Sequence, residues 1–210
     1  YRVTDIEADT ELEIDNQYIM SPKDLCTIGF LNKLLDSGVR VLKIEGRARG
    51  PEYVHTVTSC YREAVEAWLD GTYSDEAKIA AWIERLSQVF NRGFWDGYYL
   101  GQKMGEWSHT YGSQATRRKV YLGKCTNWFS RLGVAEFVME TGSLKTGDSV
   151  LITGVTTGVA EVVVGELRLE YDPVGEVKKG DRFSLKTGVQ VHRGDRLFRW
   201  DSVLPNPTGS

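Results

Sequence analysis

Four charged side chains follow an apolar stretch in the segment VRVLKIEGRARG, which spans residues 39–50. They are Lys43, Glu45, Arg47 and Arg49. Because side chains alternate along a strand, Lys43 and Glu45 would share one face at its C-terminal end. Lysine binds anionic oxygens, glutamate can accept or relay a proton, and arginine binds carboxylate or phosphate through two parallel hydrogen bonds. Lys43, Glu45 and Arg47 are therefore candidate catalytic residues.

An ordinary structural role would account for the same residues. Lys43 and Glu45 could form an ion pair that closes the end of a buried strand, and Arg47 could be a surface arginine in a loop. The sequence assigns no individual roles, so both interpretations stay open.

Composition limits the class of protein. The chain has 210 residues, enough for one large domain or two small ones, and its net charge of −3 does not favour indiscriminate binding to polyanions. No apolar run is long enough to span a bilayer, and no signal-peptide pattern is present. Three cysteines without a CxxC pair indicate a reducing cytoplasm rather than a disulfide framework. The chain begins at Tyr1 without a methionine, so we expect residues ahead of it.

The elements around the charged segment indicate part of an α/β sheet. The pattern SPKD predicts a helix that begins at Ser21 and ends near Gly38. The charged strand follows, and two further helices begin near Pro51 and Ser74. Such a unit belongs to a parallel sheet and needs neighbouring strands. Ahead of it, residues 1–15 predict a hairpin.

From Arg118 onward the pattern changes to short alternating runs, which are typical of a small closed antiparallel β-barrel. Three turns share one form, LKTGD, VKKGD and VHRGD, and end at Asp148, Asp181 and Asp195. Glycine permits the tight turn, and aspartate can bond back to the backbone. We therefore expect a (β/α) portion over residues 1–111, a linker over 112–117, a barrel over 118–203 and a tail over 204–210.

A basic segment, Arg117-Arg118-Lys119, and an aromatic stretch flank the expected boundary between the (β/α) portion and the barrel. Arg117, Arg118 and Lys119 could contact RNA phosphates. The aromatic side chains within residues 91–112 could stack unpaired bases, although aromatic residues in glycine-rich loops also fill domain interfaces. A nucleic-acid contact and a packing role both stay open here.

Other signatures of catalysis are weak. The three histidines, His55, His109 and His192, lack metal-ligand spacing. No GxSxG elbow is present, although a Ser–His–Asp set assembled in space stays open. A lone cysteine such as Cys26 is most often a small buried apolar residue, and we expect packing roles for Cys60 and Cys125.

Four segments together resemble the U-32 peptidase family, also called the collagenase-like peptidases. They are YIMSPKDLC, GVRVLKIEGR, PEYVHTVTSCYREAVEAWLDG and NRGFWDGYY. The resemblance covers residues 1–111 and implies the last part of a (β/α)8-type catalytic barrel. Residues from Arg118 onward are similar to the C-terminal domain of the family, which resembles the second domain of elongation factors.

The resemblance also implies an iron–sulfur cluster held by four cysteines. Cys26 matches the fourth ligand, and the other three would lie upstream, in the missing N-terminal half of the barrel. Lys43 and Glu45 would line the mouth of the barrel, where the carboxyl ends of its strands gather. Members of the family include RNA hydroxylases that act on a tRNA wobble uridine, whereas the family name implies proteolysis.

Three functions follow as hypotheses. The first is an iron–sulfur-dependent RNA-modifying enzyme that hydroxylates tRNA, the second is a peptidase, and the third is a non-catalytic module that binds RNA or a protein partner. We expect the given chain to be inert by itself, because three implied cluster ligands and the rest of the barrel lie outside it.

Overall fold

The computed structural model describes residues 2–4, 11–13, 21–102, 105–108 and 112–203. Within these ranges the chain divides into two compact units. The first comprises the residues up to 49 together with 56–116, and the second comprises 50–55 together with the residues from 117 onward. The first unit is mixed α/β, and the second is built from antiparallel strands.

Two short strand pairs lie in the first unit. Strands β1 (Arg2–Thr4) and β2 (Glu11–Glu13) pair in antiparallel fashion, as the hairpin prediction requires, while the predicted turn lies outside the described residues. Strand β3 (Asp24–Leu25) pairs in parallel with β4 (Phe94–Trp95), which is distant in sequence. The carboxyl ends of β3 and β4 therefore meet at one edge.

The helices are α1 (Leu31–Asp36), α2 (Pro51–Leu69) and α3 (Glu76–Ser87). They belong to the first unit except for residues 51–55 at the start of α2, which belong to the second. The second and third begin where the sequence predicted, because Pro51 suits a first helical turn and the Asp75 side chain accepts a hydrogen bond from Ala77 N at 3.0 Å. Both bury an apolar face, made of Val57, Cys60, Ala64 and Ala67 on α2 and of Trp82 and Leu86 on α3.

The prediction of a helix from Ser21 is wrong over residues 21–30. Lys23 N donates to Glu106 O at 3.0 Å and Asp24 N donates to Gly93 O at 2.8 Å, so the backbone is held extended. The local capping pattern is overridden by partners distant in sequence. The end of the helix agrees with the prediction, since Gly38 follows it with a φ of +98°.

The strand predicted over the charged segment does not form in this chain. Residues 39–46 are outside every sheet, although the alternation persists: Leu42 and Ile44 are half-buried, whereas 84% of Val41 is exposed. A parallel strand gains its hydrogen bonds from neighbouring strands, and none lies beside this segment among the described residues. The (β/α)8 barrel stays a prediction for the longer protein.

One antiparallel sheet dominates the second unit, with its strands in the order β11-β10-β13-β6-β5-β14-β8-β9. Its strands are β5 (Arg117–Phe129), β6 (Val134–Met139), β8 (Ser149–Gly154), β9 (Gly158–Val163), β10 (Leu167–Leu169), β11 (Asp172–Val174), β13 (Arg182–Lys186) and β14 (Arg196–Ser202). Strands β7 (Ser143–Lys145) and β12 (Glu176–Lys178) form a separate antiparallel pair. Closure into a barrel, and likeness to elongation-factor second domains, stay predictions.

The core of this unit is apolar and includes a stacked aromatic pair. Phe137 and Phe183 face each other across β6 and β13, with ring centroids 5.7 Å apart, and both are fully buried beside Leu122, Ile152 and Leu197. Burial of each such side chain contributes roughly 1.5–3 kcal/mol. Cys125 also lies in this core, as predicted.

The three repeated turns act as the sequence predicted. Oδ2 of Asp148 accepts a hydrogen bond from Lys145 N at 2.8 Å, and the same bond recurs from Lys178 N to Asp181 at 2.7 Å. In the third turn His192 N donates to Asp195 at 2.7 Å. Each turn therefore satisfies one backbone amide with its own carboxylate.

We expect residues 117–203 to fold when expressed alone, because the core and the turn contacts of the sheet lie within this segment. Thermal melting followed by circular dichroism should show one cooperative transition. A broad, non-cooperative melt would contradict a domain that folds independently.

Candidate functional site

The candidate catalytic residues of the charged segment lie on an exposed stretch. Lys43, Glu45 and Arg47 are all exposed, and no ion pair joins Lys43 to Glu45 in the described part of the chain. Oε1 of Glu45 instead accepts a hydrogen bond from the backbone N–H of Arg47 at 2.8 Å. Among the described residues, no hydrogen bond or ion pair joins Lys43, Glu45 or Arg47 to Cys26. Their catalytic roles therefore stay predictions.

Cys26 lies at the carboxyl end of the parallel pair. It follows β3 directly, and its N–H donates to Trp95 O of β4 at 3.0 Å. The side chain is half-buried, whereas Cys60 and Cys125 are buried. Among the cysteines, Cys26 is therefore the one placed at a strand end with partial access to solvent.

Two tyrosine hydroxyls fix the loop that follows Cys26. The Tyr61 hydroxyl accepts a hydrogen bond from Thr27 N at 2.9 Å and lies 3.2 Å from Thr27 Oγ1. The Tyr73 hydroxyl donates to Ile28 O at 2.5 Å and accepts from Leu31 N at 2.8 Å. Tyr61 lies on α2 and Tyr73 follows the end of this helix. The helix and the residues after it therefore position the loop between β3 and α1.

The electrostatic surroundings of Cys26 favour a neutral thiol. Burial raises the pKa of the Cys26 thiol, and the negative charges of Asp96 and Asp24 raise it further, while hydrogen bonds from the Ile28 backbone and from the Tyr61 hydroxyl act in the opposite direction. Burial also raises the pKa of Tyr61 to about 12. Both groups therefore keep their protons near neutral pH when no metal is bound.

The two carboxylates are placed differently. Oδ2 of Asp24 accepts a hydrogen bond from Arg92 N at 3.0 Å, and Oδ1 lies 3.7 Å from an Arg49 nitrogen. Asp96 is half-buried and follows β4 as Cys26 follows β3. Asp96 was not among the predicted site residues, although an acidic residue directly after the aromatic pair in GFWDG was an available signal.

The other cysteines serve packing, as predicted. Burial raises the pKa of Cys60 and of Cys125 to about 11 in each case. Among the described residues, no group of three or more histidine, cysteine, aspartate or glutamate side chains is arranged to hold a metal ion. The half-buried thiol of Cys26 suits one iron–sulfur ligand position, and a complete cluster would need ligands from outside these residues.

The basic segment Arg117-Arg118-Lys119 forms the start of strand β5. The Arg117 guanidinium binds both carboxylate oxygens of Glu161, at 3.1 and 2.9 Å, and stacks over Trp200 at 4.0 Å from the ring centroid. Lys119 Nζ lies 2.8 Å from Glu52. Arg118 is exposed, so it is the most accessible of the three for an external phosphate.

A threonine, a histidine and an aspartate meet in the second unit without forming a catalytic relay. Thr157 Oγ1 donates to Asp195 Oδ2 at 2.5 Å and lies 2.8 Å from His192 Nδ1. In a relay the carboxylate orients the imidazole, whereas here it binds the hydroxyl and the His192 backbone. Asp195 is 5% exposed, so this cluster fastens the β8–β9 turn to the turn before β14.

Other predicted contacts have mixed outcomes. Trp95 and Tyr98 pack edge to face, with centroids 5.2 Å apart, while Tyr98 and Tyr99 are largely exposed. His55 is exposed on α2. The prediction for His109, and the part of the aromatic-stretch prediction that falls on Tyr111, lie outside the described residues. No described helix is long and apolar enough to cross a membrane.

Comparison with known proteins identifies the family. A model described as "Peptidase family U32" matches residues 1–109, more than half of the chain. The chain belongs to peptidase family U32.

Three curated relatives carry different names. A protein named "Collagenase" from Porphyromonas gingivalis strain W83 is 59% identical over 201 residues, covering 96% of this chain and 48% of the relative. An uncharacterized protease of Methanocaldococcus jannaschii is 35% identical over 191 residues, covering 90% and 46%. "tRNA hydroxylation protein P2" of Bacillus subtilis is 39% identical over 85 residues, covering 40% and 28%. The chain thus spans about half the length, or less, of these relatives.

Proposed function

We propose that this chain is the C-terminal part of an iron–sulfur-dependent enzyme that hydroxylates a tRNA nucleoside, and that Cys26 supplies one thiolate ligand. The observation that carries the proposal is the placement of Cys26, a half-buried thiol at the carboxyl end of parallel strands with its loop fixed by Tyr61 and Tyr73. A bound cluster would supply the redox chemistry. The chain itself holds the sulfur in place and limits its exposure to water.

The surroundings of Cys26 argue against its use as a free nucleophile. A nucleophilic cysteine needs a lowered pKa or an adjacent base, and histidine is the usual base. Burial raises the pKa of this thiol, and the negative charges of Asp96 and Asp24 raise it further. Metal coordination would remove the proton in spite of these neighbours, because a coordinated thiol is deprotonated outright.

The RNA substrate is supported by the name of the Bacillus subtilis relative and by the resemblance to wobble-uridine hydroxylases. In this proposal Lys43, Glu45 and Arg47 join the site when the upstream half of the barrel supplies neighbouring strands. Lys43 or Arg47 would bind an anionic group of the nucleotide, and Glu45 would accept a proton.

Proteolysis is the second candidate function, because the relative that is 59% identical over nearly the whole chain is named "Collagenase". The two candidates can be tested on one culture. Expressed in a host that lacks its own hydroxylase, the full-length protein should restore the hydroxylated nucleoside in that host's tRNA, with the oxygen donor supplied by the cell, as read by mass spectrometry. The full-length protein purified from the same cells should leave gelatin intact. Gelatin cleavage with unchanged tRNA would favour the peptidase and overturn the proposal.

We expect Arg118→Gln to weaken tRNA binding by the full-length protein several-fold and to reduce the salt dependence by about one phosphate contact. Its melting temperature should stay nearly unchanged, because Arg118 is exposed. Arg117→Gln is the matched variant and should instead lower stability by about 1 kcal/mol, because Arg117 holds Glu161 and stacks on Trp200. Filter binding at several salt concentrations would measure the effect. Unaltered tRNA affinity in Arg118→Gln would contradict an RNA contact at the start of this strand.

A further inference from the structure

One row of side chains on the large sheet of the second unit contains three basic residues. Arg182 of β13 lies opposite Val138 of β6, which lies opposite Lys124 of β5. Lys124 in turn lies opposite Arg196 of β14. The three basic side chains are exposed, whereas the next residue along each strand is in the core: Phe183, Met139, Cys125 and Leu197. The row therefore lies on the outer face of the sheet.

The pairing of Lys124 with Arg196 is electrostatically unfavourable, because like charges directly opposite each other on neighbouring strands destabilise a sheet. Lys124 Nζ lies 2.7 Å from Oε1 of Glu140, but no ion pair of Arg196 is present in the part of the chain that the structure describes. An exposed ion pair contributes little in water, so a phosphate can replace Glu140 as the partner of Lys124. Binding of an anion would relieve the repulsion within this row.

Two aromatic rings lie beside the basic row on the same face. Tyr121 and Phe198 are opposite each other on β5 and β14 and pack edge to face, with ring centroids 5.5 Å apart. Lys119 Nζ lies 5.2 Å from the centroid of Phe198, and the Tyr121 hydroxyl donates to Glu140 at 2.6 Å. Both rings are half-buried, so part of each is open to solvent. Aromatic rings beside cations on a sheet are the arrangement that binds unpaired nucleotides, whose bases stack while their phosphates contact the cations.

From these contacts we propose that the outer face of β5 and β14 binds an unpaired stretch of RNA. Arg196 and Lys124 contact its phosphates, and a base stacks on Tyr121. The distribution of charge fits this partner: residues 117–203 contain 14 lysine and arginine residues against 11 aspartate and glutamate residues, whereas residues 1–116 contain 12 against 18. The inference rests on the proposed function for the identity of the RNA as a tRNA, and it does not depend on a bound cluster.

The test measures binding of the full-length protein to a fluorescent, unstructured RNA of about twelve nucleotides, within the range of lengths that such sheet surfaces hold. Fluorescence anisotropy is recorded at several salt concentrations, and a duplex RNA of the same length is the comparison. Arg196→Gln should weaken binding about fivefold and reduce the slope of log affinity against log salt by about 0.7. Its melting temperature should equal or exceed that of the wild type, because the repulsion from Lys124 is relieved.

Two variants of Tyr121 separate stacking from hydrogen bonding. Tyr121→Leu should weaken binding about tenfold, because the base loses its ring. Tyr121→Phe keeps the ring and loses only the hydroxyl, so it should bind like the wild type. Arg168→Gln is the matched control for charge, because Arg168 lies on β10, four strands from β14 in the sheet, and is already paired with Glu166.

Unaltered affinity in Arg196→Gln and Tyr121→Leu would overturn the inference. Equal losses in Arg196→Gln and Arg168→Gln would also overturn it, because they would show attraction by net charge alone. Duplex RNA that binds as tightly as the unpaired RNA would exclude stacking of a base. If Tyr121→Leu does not fold, the comparison of Arg196→Gln with Arg168→Gln decides. None of these measurements needs iron, so iron-free protein that binds RNA at this face would support the inference while the proposed function fails.

Discussion

Replacing Gly154 by alanine should destabilise the second unit by roughly 2–4 kcal/mol, a large part of the stability of a typical domain. A Cβ atom at this position would lie 1.8 Å from Oδ1 of Asp195, well inside contact distance. The carboxylate would have to move away from Thr157 and the His192 amide, which it binds at 2.5 and 2.7 Å. Since Asp195 is buried, these groups would lose partners that water does not readily replace.

Thermal and urea unfolding of the whole chain would measure this loss. Gly165→Ala is the matched control, because no atom lies within 4 Å of a Cβ built there, and it should change stability little. A double-mutant cycle sharpens the test. In an Asp195→Ala background, Gly154→Ala should cost much less than in the native background. An equal cost in both backgrounds would contradict the steric explanation.

Replacing Cys26 by serine in the full-length protein should lower its iron content strongly and reduce tRNA hydroxylation by about a hundredfold or more. Serine keeps the size of the side chain but replaces the sulfur that an iron–sulfur cluster requires. Iron and acid-labile sulfide per polypeptide, together with nucleoside mass spectrometry, would record both effects.

Cys125→Ser is the matched control for this variant. Cys125 is buried in the core of the second unit, and its Sγ donates to Asn127 O at 3.3 Å, so its replacement should lower stability without removing iron. Native iron content in Cys26→Ser would contradict the assignment, because it would show that other residues hold the iron.

Local signals were sufficient for several elements. The proline that opens α2, the Asp75 cap of α3 and the three Gly-Asp turns all act through neighbours within three residues, so the sequence could predict them. The burial of Cys60 followed equally from the periodicity of its helix. These features depend on little beyond the segment that contains them.

Long-range pairing explains the errors. The SPKD pattern has a helix-capping composition, yet the backbone of Asp24 is paired with Gly93 and β4, which no local pattern reveals. Residues 39–46 have the alternation of a strand but no neighbouring strand to bind. The position of Asp96 could not be predicted for the same reason, because it follows from the pairing of β3 with β4.

Differential alkylation of the full-length wild-type protein tests the central claim most directly. The protein, purified without oxygen, is treated with iodoacetamide before and after the iron is removed with a chelator, and each cysteine is quantified by mass spectrometry. If Cys26 is a cluster ligand, it should be protected in the iron-containing sample and modified once the iron is gone, while the buried Cys60 and Cys125 stay unmodified in both. Equal modification of Cys26 in the iron-containing and iron-free samples would contradict the assignment of Cys26 as a cluster ligand.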